Sequence, residues 1–149
     1  MKKKTLGILG CVFALALTGG LVANFALDES RVDTKTIGAT SYQIAAFDTG
    51  TQKIDKDDDA HILSDLITTD GLTITTSEDS NVEYVLHWFN EDKDYLSTSD
   101  AQTGDWTGSV AEGAEYVRIE IDPVRDEDGV VSLLELPGYV AQLEVTVNK

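Results

Sequence analysis

The longest hydrophobic stretch of the chain is the uncharged run from Thr5 to Leu27, which follows three lysines at positions 2–4. At about 1.5 Å per residue, a helix of this length can cross the roughly 30 Å hydrocarbon core of a bilayer. Lysines before such a run favour a cytoplasmic N-terminus and an external location for the remaining chain. The pattern therefore predicts that residues 1–27 form a signal peptide or a signal-anchor helix.

Three fates of this segment fit its residues. Ala14-Leu15-Ala16 has the small-x-small form of a signal-peptidase site, which predicts a secreted protein. The chain stays apolar beyond that site, which favours a retained anchor that contacts the membrane through residues 5–27. Ile8-Leu9-Gly10-Cys11 resembles the lipobox of bacterial lipoproteins, which would place a lipid on Cys11. All three predict a protein on the extracellular side of the cytoplasmic membrane or released from it.

The pattern changes after this run. Residues 28–36 are polar and without periodicity, which predicts a short spacer. From residue 37 to 149, short apolar segments rich in β-branched and aromatic residues are separated by turn residues. The clearest strands are Val82–Phe89 and Tyr116–Ile121, and we assign Val117, Ile119 and Ile121 to the core. This spacing predicts an all-β domain, an antiparallel two-sheet β-sandwich, over residues 37–149.

The remaining segments complete the expected order of elements. The further predicted strands are Ser41–Phe47, Leu72–Thr75, Tyr95–Ser97, Val130–Leu136 and Tyr139–Val147. The spacing of Ile62, Leu63, Leu66 and Ile67 predicts a short helical turn within Ala60–Ile67. Pro123 is expected to end the strand before it, and Pro137-Gly138 to form a bend between the last two strands.

Two of these segments resemble a known pattern. Residues 84–97 (YVLHWFNEDKDYLS) and 110–119 (VAEGAEYVRI) are similar to a strand-hairpin-strand pattern of extracellular and phage-tail β-sandwich modules of Firmicutes. The chain departs from that pattern at Phe89-Asn90 and at Ala111. The resemblance implies a jelly-roll fold of the carbohydrate-binding type, and it supplies no diagnostic ligand residue.

Charge and cysteine content restrict the classes of function that the sequence allows. The chain has 27 acidic and 11 basic residues, and without the three N-terminal lysines the formal charge of residues 28–149 is −19. Such acidity argues against nucleic acid as a partner and disfavours anionic lipid headgroups. It is typical of a soluble, self-repelling surface or of calcium binding. The sole cysteine, Cys11, precedes the domain, and a disulfide-free exported domain favours a Gram-positive bacterium.

Candidate binding residues are aromatic or acidic. Trp106, in a polar glycine-flanked segment, and Tyr95 and Tyr139, beside predicted turns, are the residues we expect to stack on sugar rings. Loop carboxylates such as Asp55, Asp57 and Asp59, or Asp126 and Asp128, are the candidate ligands of Ca²⁺. The spacing of Asp126 and Asp128 matches part of an EF-hand loop, but Val124 offers no oxygen at the first ligand position, so an EF-hand is not predicted.

No catalytic motif of the hydrolase, zinc-protease or nucleotide-binding type occurs in the sequence, and we expect no enzyme activity. The sequence predicts a non-catalytic exported or membrane-tethered surface module that binds a glycan or a protein partner. The alternative is a structural or assembly subunit of an extracellular layer or appendage. In that case sheet edges or the C-terminal segment Tyr139–Val147 would contact neighbouring chains.

Overall fold

A computed structural model describes residues 33–123 and 130–149 of the chain. All of the elements below belong to one compact unit, residues 34–149. The predicted signal or anchor segment, residues 1–27, and the predicted calcium ligands Asp126 and Asp128 lie outside the described residues. Within the described ranges, no helix has the length and hydrophobicity needed to span a bilayer.

The described domain is mostly β, with antiparallel sheets, as the sequence predicts. Its strands are β1 (Thr34–Thr36), β2 (Tyr42–Ile44), β3 (Ala46–Asp48), β4 (Lys53–Asp55), β5 (Ile62–Ser64), β6 (Ile67–Thr68), β7 (Thr73–Thr76), β8 (Val82–Phe89), β9 (Tyr95–Thr98), β10 (Tyr116–Pro123) and β11 (Leu143–Asn148). Helix α1 spans Leu136–Val140. Three strands form one sheet in the order β1-β11-β7, and six form another in the order β2-β5-β10-β8-β9, with β6 also paired to β10. Strands β3 and β4 form a separate hairpin.

The larger core is built on the central pair of the six-stranded sheet. All eight residues of β10 pair with β8, and the described strand extends through Pro123, two residues beyond the predicted Ile121. The side chains of Val117, Ile119 and Ile121 are 0% exposed, which confirms the face assigned to the core. Ile74 of β7 and Val145 of β11 belong to the same buried cluster. The three-stranded and six-stranded sheets therefore contribute to one core.

A second, smaller core lies on the opposite face of the six-stranded sheet. The predicted strand Ser41–Phe47 divides at Ala45 into β2, which stays in the sheet, and β3, which begins the hairpin. Phe47 of β3 packs edge to face on Phe89 of β8, with 5.3 Å between the ring centroids. Ala45 and Leu63 complete this buried cluster. Strands β8 and β5 are consequently buried on both faces where the hairpin covers them.

Burial on both faces explains why the predicted helical turn in Ala60–Ile67 is wrong. Ile62 and Leu63 are both 0% exposed because Ile62 joins the larger core while Leu63 joins the smaller one. Consecutive apolar residues of a doubly buried strand imitate a helical pattern. The segment forms β5 and β6, and the buried Ser64 ends β5. Its Oγ accepts a 2.8 Å hydrogen bond from the backbone N–H of Ile119.

The predictions for the C-terminal segments are also partly wrong. Residues 132–135 form a turn rather than a strand, with the Ser132 carbonyl accepting a hydrogen bond from the Leu136 N–H. Pro137 lies in the first turn of α1, where its missing N–H costs nothing, and it does not form the expected bend. Leu136 and Val140, four residues apart, bury one face of the helix.

The three-stranded sheet contains the first and the last strand of the domain, which pair with each other. The last three residues of the predicted spacer, Thr34–Thr36, form β1, which pairs with β11. Strand β11 pairs with β7 on its other side. Strand β11 thus lies between two strands of its own sheet, and contact of the C-terminal segment with neighbouring chains stays a prediction. Strands β1 and β7 are the outer strands of this sheet.

The hydrogen bond between Ser64 and Ile119 gives a test of the fold. Replacing Ser64 with Ala leaves the buried Ile119 N–H without its acceptor, and we expect the free energy of unfolding to fall by about 1–3 kcal/mol. Ser97→Ala on the exposed side of β9 is the matched control and should change it by less than about 0.5 kcal/mol. Urea unfolding curves of the two variants measure both values, and equal effects would contradict this role of Ser64.

Candidate functional site

A cleft opens on the outer face of the six-stranded sheet, the face opposite the larger core. Its volume is about 170 Å³, and it is lined by His61, Glu83, Tyr84, Val85, Ala101, Glu120 and Asp122. Three carboxylates and one imidazole thus belong to one small cleft, and no lysine or arginine is among its described lining residues. We take this acidic cleft as the candidate functional site.

The register of β8 and β10 positions the carboxylates. Side chains alternate between the two faces of a strand, so Glu120 and Asp122 point away from the face that buries Ile119 and Ile121. Asp122 lies directly opposite Glu83 in the antiparallel pair. Like charges at directly opposed positions destabilise a sheet, so this arrangement concentrates negative charge at a cost to stability.

Glu120 is held by groups from two other elements. Its Oε1 accepts a 2.9 Å hydrogen bond from the Phe47 backbone N–H of the hairpin and lies 2.9 Å from Nε2 of the buried His87. An ionised carboxylate only accepts hydrogen bonds, so Nε2 is the donor. Nδ1 of His87 contacts Thr98 Oγ1 at 2.8 Å, and this hydroxyl lies 2.7 Å from Oη of Tyr95. The other carboxylate oxygen of Glu120, Oε2, takes no part in these hydrogen bonds and lies 4.0 Å from Nε2 of His61 in the cleft.

His61 provides the imidazole of the cleft. Its Nδ1 lies 2.9 Å from Oδ1 of Asp58, and its Nε2 is 3.9 Å from Oδ1 of Asp122. Burial lowers the pKa of His61, but the hydrogen bond to Asp58 and the charges of Asp58, Glu120 and Asp122 outweigh burial, so the pKa is raised. Burial raises the pKa of Asp58, but its hydrogen bonds to His61 and to backbone N–H groups outweigh burial and lower it.

Tyr84 borders the cleft, although its buried side chain belongs to the larger core on the other face of the sheet. Its hydroxyl donates a 2.7 Å hydrogen bond to the Gly104 carbonyl. Burial, and then the charge of Asp105, raises the pKa of Tyr84 to about 12. The carboxylates of Glu83, Glu120 and Asp122 are hydrogen-bond acceptors, and His61 adds one titratable imidazole, so the cleft suits hydroxyl or cationic ligands. In the part of the chain that the structure describes, no group of three or more His, Cys, Asp or Glu side chains is arranged to hold a metal ion.

The aromatic residues predicted to bind sugars lie elsewhere. Trp106 is half-buried and packs on Trp88 of the larger core, with 5.9 Å between the ring centroids. Tyr95 packs against the smaller core, and Tyr139, on α1 rather than on a strand, packs against the larger one. None of these three described residues lines the acidic cleft. Their role as sugar-stacking residues stays a prediction, as does calcium binding by Asp126 and Asp128.

Sequence reasoning did not find the acidic cleft. The alternation in Tyr116–Ile121 already places Glu120 on the outward face, and that is the available signal. Nothing local shows that Glu83 and Asp122 become direct neighbours or that His61 joins them. Comparison with protein-family models, with curated proteins and with solved structures found no match to this chain. The function proposed below therefore rests on the sequence and on the geometry of the domain.

The pair of His61 and Asp58 predicts how stability depends on pH. A raised pKa in the folded state stabilises the protein below the unfolded pKa of about 6.5, and this contribution is lost as the pH rises through the folded value. The lowered pKa of Asp58 adds a contribution that is lost only at acidic pH. We expect wild type to exceed His61→Gln in unfolding free energy by up to about 1 kcal/mol near pH 5.5.

This advantage should shrink towards pH 8.5 because His61 loses its proton. Urea unfolding of both proteins at several pH values measures the difference, and the comparison removes contributions from other titrating groups. A difference that stays constant or grows towards high pH would contradict the account of His61.

Proposed function

We propose that this protein is a non-catalytic binding module, exported and either tethered to the membrane or released, which holds a surface glycan or protein at the acidic cleft. The observation that carries the proposal is the convergence of Glu83, Glu120, Asp122 and His61 on one cleft of a rigid sheet. Such concave sites with a few fixed polar groups are the usual form of ligand sites.

The state of the side chains supports binding rather than catalysis. Oε1 of Glu120 is hydrogen-bonded to Phe47 and His87, and Nδ1 of His61 is hydrogen-bonded to Asp58. Groups fixed in this way orient a ligand through their remaining atoms, Oε2 of Glu120 and Nε2 of His61. Their arrangement resembles a preorganised binding surface, in which little conformational entropy is lost when a ligand docks.

We further propose that the domain is a two-sheet sandwich of the jelly-roll type. Two features support this: both sheets contribute residues to one core, and residues 84–97 and 110–119 resemble strand segments of such modules. The proposed location rests on the sequence of residues 1–27.

One observation favours the alternative of an assembly subunit. Strand β1 is one of the two outer strands of the three-stranded sheet, and within the described residues it pairs only with β11. A strand of a neighbouring chain could add to such an edge through backbone hydrogen bonds. The edge offers only Thr34–Thr36, so we regard assembly as the second candidate.

Neutralising the cleft tests the proposed function. Full-length protein in phosphatidylcholine nanodiscs is applied to a glycan array and to a peptide array. The double variant Glu83→Gln/Asp122→Asn should lose about tenfold or more in affinity for the ligands found, because it removes two opposed carboxylates. Glu91→Gln/Asp92→Asn makes the same change of charge in an exposed loop and should bind like wild type.

The arrays also separate the two candidate functions. Signals that both double variants retain in full would contradict a binding site at the cleft. Absence of signal on both arrays, together with oligomers that grow with protein concentration in sedimentation experiments, would favour assembly through β1.

A further inference from the structure

Strand β1 has outward backbone groups that find no partner among the described residues. The Ile37 N–H donates a hydrogen bond to the Val145 carbonyl, so the backbone groups of Ile37 and of Lys35, two residues earlier, point towards β11. The N–H and C=O groups of Thr34 and Thr36 therefore point away from the sheet. All three residues of β1 are exposed, so this edge offers donors and acceptors to a further strand.

The other outer strand of the same sheet, β7, is covered by the chain itself. The Trp106 N–H donates a 3.0 Å hydrogen bond to the Ile74 carbonyl. Oδ1 of Asp105 accepts a 2.8 Å hydrogen bond from the Thr76 N–H. A loop in this position blocks the approach of another chain to β7. Strand β1 is thus the edge of the three-stranded sheet to which a strand can be added.

The charges on either side of Thr34 are complementary to themselves. Asp33 and Lys35 flank Thr34, both are exposed, and neither forms an ion pair with another described residue. If two copies of β1 pair antiparallel with Thr34 opposite Thr34, Asp33 of each copy lies opposite Lys35 of the other. The Cβ atoms of such pairs are about 4.5–5.5 Å apart, and opposite charges at these positions stabilise the pairing.

The neighbouring registers are less favourable. A shift of the centre by one residue places Asp33 opposite Asp33 or Lys35 opposite Lys35, and like charges at directly opposed positions are destabilising. The next register brings Gly38 into the pairing, although its carbonyl already accepts a hydrogen bond from the Ser41 N–H. The register centred on Thr34 is therefore the one that combines free backbone groups with opposite charges.

We propose that β1 pairs with β1 of a second copy of this chain, antiparallel and with Thr34 opposite Thr34, so that two three-stranded sheets become one continuous sheet. The contact is isologous and closes at two copies, because both copies use the same edge. An open assembly through β1 would instead need a different strand of the neighbouring chain. The dimer goes beyond the proposed binding function, and it would present two acidic clefts to a multivalent ligand.

The contact is short, so the test traps it with a disulfide. Full-length protein in phosphatidylcholine vesicles is oxidised mildly, and non-reducing gels measure the covalent dimer. Thr34→Cys should form it, since opposed residues of a hydrogen-bonded pair have Cα atoms about 5.5 Å apart, within the range of a disulfide. Thr36→Cys is the matched control, because four residues, or about 13 Å along the strands, separate position 36 from its copy.

Two measurements exclude other sources of the covalent dimer. Wild type, which carries Cys11 alone, gives the background of cross-links through that residue. Mass spectrometry of the joined peptides shows whether the bond connects position 34 of one copy to position 34 of the other.

Charge reversal tests the register. With Thr34→Cys present, Asp33→Lys or Lys35→Asp alone places like charges opposite each other in both contacts, and each should lower cross-linking about fivefold or more. A mixture of the two variants restores opposite charges in both contacts, so the mixed dimer should form as it does without charge reversal. Tags of different size identify the mixed dimer. Because both side chains are exposed, the melting temperatures should stay unchanged.

Three results would overturn the proposal. Equal cross-linking through positions 34 and 36 would indicate random collision. A mixture that forms no more dimer than each variant alone would exclude this register, as would cross-linking that is insensitive to charge reversal. The cleft variant Glu83→Gln/Asp122→Asn should cross-link like wild type when it carries Thr34→Cys, so failure of the dimer and failure of the binding site are distinguishable.

Discussion

The contact on which the described domain depends is the hydrogen bonding of one carboxylate, that of Glu120. Its Oε1 accepts from the backbone N–H of Phe47 and from His87, so it joins β10, β8 and the β3–β4 hairpin. The side chain is only 13% exposed, and removing a charge from water to that extent is costly unless its hydrogen bonds are made. Charge-assisted hydrogen bonds are among the stronger ones in proteins, and here they offset that cost.

The acidic cleft is a consequence of this attachment. The hairpin covers the outer face of the six-stranded sheet over Phe89 and Leu63 and leaves the part around Glu83 and Asp122 open. Buried hydrophobic surface and a charged cleft therefore lie side by side on one face of one sheet. Part of the negative charge that the composition predicts as a general surface property lies at this open part, where Glu83 and Asp122 face each other across two strands.

The sequence predicts the fold best where one local pattern decides it. Val82–Phe89 and the core face of Tyr116–Ile121 follow from strand composition and alternation, and both are confirmed. Ile62–Ser64 is misread because two cores bury it from opposite sides, which no local pattern reveals. The candidate site is harder to predict, because Phe47 and Glu120 are 73 residues apart and meet only where the β3–β4 hairpin packs on the six-stranded sheet. The sequence predicts that Trp106 contacts a sugar from an exposed position, whereas its ring is half-buried and packs on Trp88.

The most direct test of the account is amide hydrogen exchange of Glu120→Ala, followed by NMR. The change leaves the Phe47 N–H and His87 without their acceptor, so exchange at Phe47 and in β3–β4 should accelerate at least about tenfold more than exchange at Ile74 of β7. Ile74 lies in the other sheet and reports global opening. An equal acceleration at all positions, or unchanged protection of Phe47, would contradict the claim that Glu120 attaches the hairpin and shapes the cleft.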